Sequence, residues 1–184
     1  SFVPAAGGHA HAVDLCRQVE DFNRGVMLDG EEHDPLNQFS YGVAGYPEKH
    51  EEAMNLDIDI EYLKAKIDAG AQYVVTQMFF DNSKYFSFVE RCRAAGINVP
   101  IIPGIKPLTS LTQQALLPKT FHIDLPMELA RELCRCRSNE DVKALGVEWG
   151  VQQARELKAA RVPSIHFYSM NAAASVEAIA KAVY

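Results

Sequence analysis

The chain has 184 residues, 48% apolar and 23% charged, the make-up of one globular domain with a sizeable core and too short for two. Eighteen basic against twenty-four acidic side chains give a net charge of −6, which argues against a polyanion-binding surface over the whole chain, although a local basic pocket could hold a phosphate. No apolar run nears the roughly 18 residues that span a bilayer, no leader opens the chain, and four cysteines are too few for a disulfide scaffold, so neither membrane nor nucleic acid is an expected partner and the cytoplasm is the expected compartment.

Ser1-Phe2-Val3-Pro4 carries no initiator methionine and runs at once into Gly7-Gly8, as a chain entered mid-fold would. From Ala10 to Phe22, apolar residues recur at three- and four-residue steps and predict an amphipathic helix. Residues 23–38, with Gly25, Gly30 and Pro35, read as a surface loop. Phe39 to Ala44 is a buried-strand candidate closed by Gly45-Tyr46-Pro47. Asp57 to Ala69 predicts a helix with Gly70 as its C-terminal stop. The β-branched and aromatic run from Tyr73 to Phe80 predicts a strand. A helix follows from Asn82 to Ala95, stopped by Gly96, then a strand from Val99 to Ile102, stopped by Pro103-Gly104. Helices are expected at about 109–117, 126–136 and 139–160, then a strand from Ser164 to Tyr168 and a closing helix near 173–183.

Strict alternation of strand and helix implies βαβ crossovers and a parallel sheet. The continuously apolar strands imply that both sheet faces are covered. An open doubly wound sheet and a closed (βα)8 TIM barrel compete. No Gly-x-Gly-x-x-Gly follows any strand, which removes the main support for the dinucleotide form of the open sheet. Four strands are visible where a barrel needs eight and about 250 residues. Half a barrel reconciles the two counts.

In such folds the chemistry lies beyond the carboxyl ends of the strands. Four clusters stand there: Tyr46 to Ala53, Gln77 to Asp81, Pro103 to Pro107 and Tyr168 to Asn171. They are rich in aromatics and amides and hold no nucleophile elbow and no cysteine, which argues against covalent acyl transfer. An amide such as Gln77 both donates and accepts, and Tyr46, Phe80 and Tyr168 could stack on a flat heterocycle. Each cluster also has a plainer reading. Tyr46-Pro47 could be a turn, Glu48, Lys49, Glu51 and Glu52 a solvated stretch, Pro103-Gly104 a bend, Lys66 a surface lysine and Asp59 a helix-start charge. His9-x-His11 near His33 raises a metal-dependent hydrolase, but no strand leads into the pair and a solvated loop is favoured, so no metal is expected. His122 and His166 alternate with apolar residues and read as core or near-core histidines, and the cysteines as free or buried thiols.

Five strings in order extend this reading. They are Tyr46-Pro47-Glu48-x-His50-x-Glu52-Ala53, Lys66-x-Asp68-Ala69-Gly70-Ala71, Thr76-Gln77-Met78-Phe79-Phe80-Asp81, Ile101-Ile102-Pro103-Gly104-Ile105-x-Pro107 and His166-Phe167-Tyr168-Ser169-Met170-Asn171. The chain resembles methylenetetrahydrofolate reductases over nearly its whole length, apart from the 23–38 loop. The resemblance implies a (βα)8 barrel of which residues 1–184 supply the C-terminal part, roughly the last four βα units. It implies FAD at the carboxyl face, reduced by NADH or NADPH, with the flavin then passing a hydride to a methylenefolate to give 5-methyltetrahydrofolate. Ala12, Tyr46, His50, Asp59 and Lys66 fall at cofactor positions, with His50 and Lys66 toward phosphate or ribose. Gln77, Gln113 and Tyr168 fall at substrate positions. Met78, Tyr62, Ala65 and Ala172 depart from residues common in the family, and Ala172 removes an arginine that often meets substrate. The resemblance places the general acid upstream of Ser1, so no catalytic acid is expected here, the piece alone is expected to be inactive, and the protein is expected to be a homo-oligomer of one-carbon metabolism. A non-catalytic half-barrel module is the alternative.

Overall fold

The strands β1 (Gly42–Gly45), β2 (Tyr73–Met78), β3 (Ile101–Ile105) and β4 (His166–Phe167) pair in that order, all parallel, in a computed structural model that describes residues 3–35 and 38–184. Around them lie α1 (Ala12–Asn23), α2 (Leu56–Asp68), α3 (Asn82–Ala94), α4 (Gln113–Phe121), α5 (Met127–Leu133), α6 (Asn139–Ala159) and α7 (Ala173–Val183). Parallel neighbours require long crossovers, and α2, α3 and the α4–α6 run supply them.

Local chemistry sets the helix ends. The Asn55 side chain accepts the Ile58 N–H at the start of α2, and Asp81 accepts the Ser83 N–H at the start of α3. Ser138 and Asp141 form a reciprocal capping box on α6. At the end of α2 the Gly70 N–H bonds Ile67 O and the Ala71 N–H bonds Lys66 O, a paired closure that needs Gly70 at φ +124°.

The core falls into two parts. Ile60, Leu63, Val74, Phe88, Cys92, Ile101, Ile105, Ala154, Leu157 and Ile179 fill the space between the sheet and α2, α3, α6 and α7. Met78, Phe80, Leu108, Leu117, Ile123, Leu129 and Val142 form a second part under α4–α6. α6 reaches across to the β2–α3 turn: Trp149 Nε1–H donates to Phe80 O, and the Gln153 amide donates to Phe79 O. Asn82, buried beside them, donates to Gln153 O and to the Glu156 carboxylate.

Several expectations are corrected. The first strand starts later than Phe39, which is 60% exposed. The Asn23 side chain accepts the Phe39 N–H and donates to Phe39 O, so α1 takes the backbone groups that a ladder would use. Pro103-Gly104 lies inside β3 instead of ending it. The missing Pro103 N–H coincides with a bulge in β2, where Val75 pairs with Ile102 but Met78 with Gly104. α4 starts four residues later than expected and tolerates Pro118, while α5 stops at Leu133. The expected cover on both sheet faces is only partial: Pro103, Gly104 and Ile105 of β3 are all buried, but β2 is covered on one face. Along β2, Val74, Thr76 and Met78 are buried, whereas Tyr73, Val75 and Gln77 on the other face keep exposure. Part of the expected loop at 23–38, residues 36 and 37, lies outside the described residues; Val26 and Glu32 form an antiparallel bridge within it.

Candidate functional site

The segment after β1 carries the first group of residues. Tyr46 and His50 pack edge to face with ring centroids 4.6 Å apart. The His50 N–H donates to Asp59 Oδ2 at 2.8 Å, so a carboxylate from the first turn of α2 anchors the loop. Asp59 is 8% exposed, and its charge is felt by Lys66, two turns further along α2. The Lys66 amine donates to Ala44 O at 2.9 Å, and burial lowers its pKa, with Asp59 and Cys16 pulling the other way. Burial also raises the Tyr46 phenol, with Asp59 and Tyr168 adding to the effect. Tyr46, His50, Asp59 and Lys66 are therefore brought together.

Ala12 opens α1 and is exposed. Cys16, one turn later, is buried beside Tyr41 and feels the Lys66 charge. The Glu20 side chain abuts Gly70 just past the end of α2.

The second group is built on the β2 bulge. With the ladder interrupted, the Gly104 N–H donates to Thr76 Oγ1 at 2.9 Å and the Tyr168 hydroxyl donates to Thr76 O at 2.9 Å. The Met78 N–H is met by Gln77 Oε1 at 2.9 Å, which fixes the Gln77 amide orientation and leaves its NH2 free to donate. The Tyr168 ring lies over Gly104, where any Cβ would collide with it. Thus Tyr168 reaches the backbone of the residue before Gln77 and lies near enough to Tyr46 to help raise its phenol, so both groups stand toward the carboxyl end of the sheet. Gln113 behaves differently. Its Oε1 accepts the Thr109 and Ser110 N–H groups, so it closes the β3–α4 loop and has only its NH2 left over.

The remaining sequence candidates divide. His9 bonds Gln18, His11 lies 4.0 Å from Asp14 and His33 3.6 Å from Glu31. Among the described residues no group of three or more His, Cys, Asp or Glu could hold a metal ion. The histidines expected in or near the core are exposed: His122 takes a left-handed backbone and pairs with Glu51 at 2.8 Å, and His166 lies against the edge of Tyr168. All four cysteines are free, with Cys16 and Cys92 buried and Cys134 exposed. Met78 is buried, and Tyr62 and Ala65 are exposed on α2. No helix among the described residues is long and apolar enough to cross a membrane.

Two residues in the stretch read as solvated do more than that. Lys49 sits at φ +92°, and its amine donates to His50 O and Ala53 O, clamping the loop. Glu48 is half-buried, and its Oε2 accepts the Asp124 N–H at 2.9 Å beside a cavity of about 390 Å³ that Lys84 and His122 also line. Neither Gln77 nor Tyr168 lines this cavity. Sequence spacing did not hint at the Glu48 role, because it depends on a segment 76 residues away folding back onto the loop.

Burial pushes the Glu48 carboxyl up from 4.5 to about 7, against the pull of the Asp124 N–H. The folded chain therefore holds this proton more tightly than the unfolded one. That contribution to stability is complete below pH 4.5 and is lost as the pH rises to about 7. Glu48→Gln, whose amide oxygen still accepts the Asp124 N–H, is expected to be more stable than the parent at pH 8. It should also show a flatter melting temperature between pH 4.5 and 7. Parallel melting curves for the two proteins across that window would count against a buried, protonating Glu48.

Comparison with known proteins comes from three sides. A family profile described as methylenetetrahydrofolate reductase matches residues 3–184. The chain is 38% identical over 149 residues to a probable methylenetetrahydrofolate reductase (NADPH) of Caenorhabditis elegans, covering 80% of this chain and 22% of that protein. It is 35% identical over 136 residues to the 5,10-methylenetetrahydrofolate reductase of Escherichia coli K12, covering 73% of this chain and 46% of that one. Among solved structures, an uncharacterized protein from Clostridium thermocellum that binds two copies of 5-methyl-5,6,7,8-tetrahydrofolic acid superposes with a TM-score of 0.59 at 20% identity, over 97% of this chain and 60% of that one. That likeness shows the fold. The chain thus spans less than half the length of the two reductases and 60% of the solved chain.

Proposed function

The chain belongs to the methylenetetrahydrofolate reductase family, and from that premise we propose that its protein reduces 5,10-methylenetetrahydrofolate to 5-methyltetrahydrofolate with FAD as carrier and NADH or NADPH as donor. The observation that carries the proposal is the convergence of Tyr46, His50, Asp59 and Lys66 with Gln77 and Tyr168 at one end of a parallel sheet. In this reading the chain is the later half of a (βα)8 barrel, and the open face of its sheet is the barrel interior.

The first group fits a flavin nucleotide by its donor set. It offers an aromatic ring, an imidazole whose side chain is 33% exposed, and an amine close enough to offset a phosphate. When bound, the flavin supplies the redox chemistry. His50 and Lys66 bind its polar parts, Asp59 fixes the loop that carries His50, and Ala12 leaves room at the start of α1. Gln77 donates its free NH2 to whichever substrate occupies the site, Tyr168 offers its ring and Gln113 its remaining NH2. No group in this chain is assigned the general acid. A folate substrate, a homo-oligomeric assembly and a cytoplasmic location belong to the same reading, and ping-pong alternation of the two substrates follows from their sharing Gln77.

The intact protein is expected to purify yellow. Under anaerobic conditions NADH or NADPH should bleach it, and 5,10-methylenetetrahydrofolate should restore the colour. An intact protein that retains no flavin would remove the reductase reading and leave the non-catalytic module.

A further inference from the structure

Lys49, Lys66 and Lys84 stand toward the carboxyl end of the sheet, and each is engaged. The Lys49 amine holds His50 O and Ala53 O, the Lys66 amine holds Ala44 O, and Lys84 lies 4.0 Å from the Asp124 carboxylate. Lys106 differs. It is 4% exposed, yet among the described residues its Nζ has no hydrogen-bond acceptor and no carboxylate partner. No buried side-chain nitrogen or oxygen among those residues is both sealed and unpartnered, so the Lys106 nitrogen keeps some access to solvent.

Strand alternation says on which face. Ile101 and Ile105 join the core under the helices, which puts Ile102, Gly104 and Lys106 on the opposite face. Gly104 on that face carries the Tyr168 ring and pairs with Met78, the neighbour of Gln77. The Tyr168 N–H donates to Ile105 O at 2.9 Å, so Lys106 is the first residue past the last bond of the ladder. A cation with little access to water and no anionic partner is costly, and the cost is recovered when an anionic acceptor arrives.

We propose that Lys106 binds an anionic oxygen of the substrate seated against Gln77 and Tyr168 and thereby sets substrate specificity at that site. This rests on the reductase reading, in which the acceptor is a folate carboxylate or a nicotinamide nucleotide phosphate. Burial lowers the Lys106 pKa, so the affinity it confers falls away at a lower pH than an ordinary lysine would allow.

The test uses the intact protein and Lys106→Met, which keeps the bulk and removes the charge. Titration calorimetry with 5-methyltetrahydrofolate, and separately with NADH and NADPH, reads binding without turnover. A folate affinity weakened roughly 10- to 100-fold, with flavin content and melting temperature unchanged or raised, supports the folate carboxylate. The same loss confined to the nucleotides supports the phosphate. In either case the alkaline fall in wild-type affinity should vanish in the variant. Unchanged affinity for all three probes overturns the proposal, as does loss of flavin from the variant. Failure of the reductase reading looks different: the wild-type protein itself would bind no folate.

Discussion

Gln77→Ala is expected to slow reduction of the flavin by nicotinamide nucleotide and its reoxidation by methylenefolate alike, each roughly 10- to 100-fold, while flavin content stays normal. The reason lies in the bulge. Gln77 Oε1 is committed to the Met78 N–H, so the amide presents a donor of fixed direction to the open face of the sheet. Removing it takes away one ligand contact and also leaves the Met78 N–H without that acceptor. Gln77→Glu separates the two effects, because a carboxylate keeps the bond to Met78 but cannot donate to a substrate. Stopped-flow traces of both half-reactions should show Gln77→Glu impaired about as much as Gln77→Ala. Wild-type rates in either half-reaction would remove Gln77 as the shared contact.

Gly146→Ala is expected to lower stability by about 1–3 kcal/mol, although alanine is the better helix former by about 1 kcal/mol. α6 lies so close to the β3–α4 loop that a Cβ at Gly146 would overlap the Leu108 carbonyl, 2.8 Å from its nitrogen and 2.9 Å from its carbonyl carbon. Backbone cannot rotate away as a side chain can. Leu108 must move, and Lys106 and Pro107 just before it move as well. Gly150→Ala is the control: its Cβ meets the flexible end of Ile179, which can turn aside. Urea denaturation should show a clear loss for the first and a small change for the second. Equal stability of Gly146→Ala and the parent would mean that the helix is not seated on that loop.

How legible was this in the residues themselves? β2 and its flanking helices were, because β-branched residues, an Asn or Asp cap and a closing glycine all agree there. The start of β1 was not, since Phe39 has strand character but its backbone is held by Asn23 from another element. Pro103 looked like a stop because periodicity carries no register, and only the neighbouring bulge makes a proline tolerable inside the strand. For the site, Tyr46, His50, Asp59 and Lys66 were found through motif resemblance, and their mutual contacts depend on how α2 sits against β1. Lys106 stood in a quoted string without being singled out. The available signal was a lysine between Ile105 and Pro107 at a strand tip, two residues from Gly104 and hence on its face.

The bond from Trp149 to Phe80 O has a practical side. It ties the chain's one tryptophan to the carbonyl three residues after Gln77. An indole's emission responds to the strength of the bond its N–H makes, so the chain carries an internal optical gauge of that turn. Seating of a ligand, loosening by a distant substitution and the first stages of unfolding all pass through the same fluorophore, with no label attached.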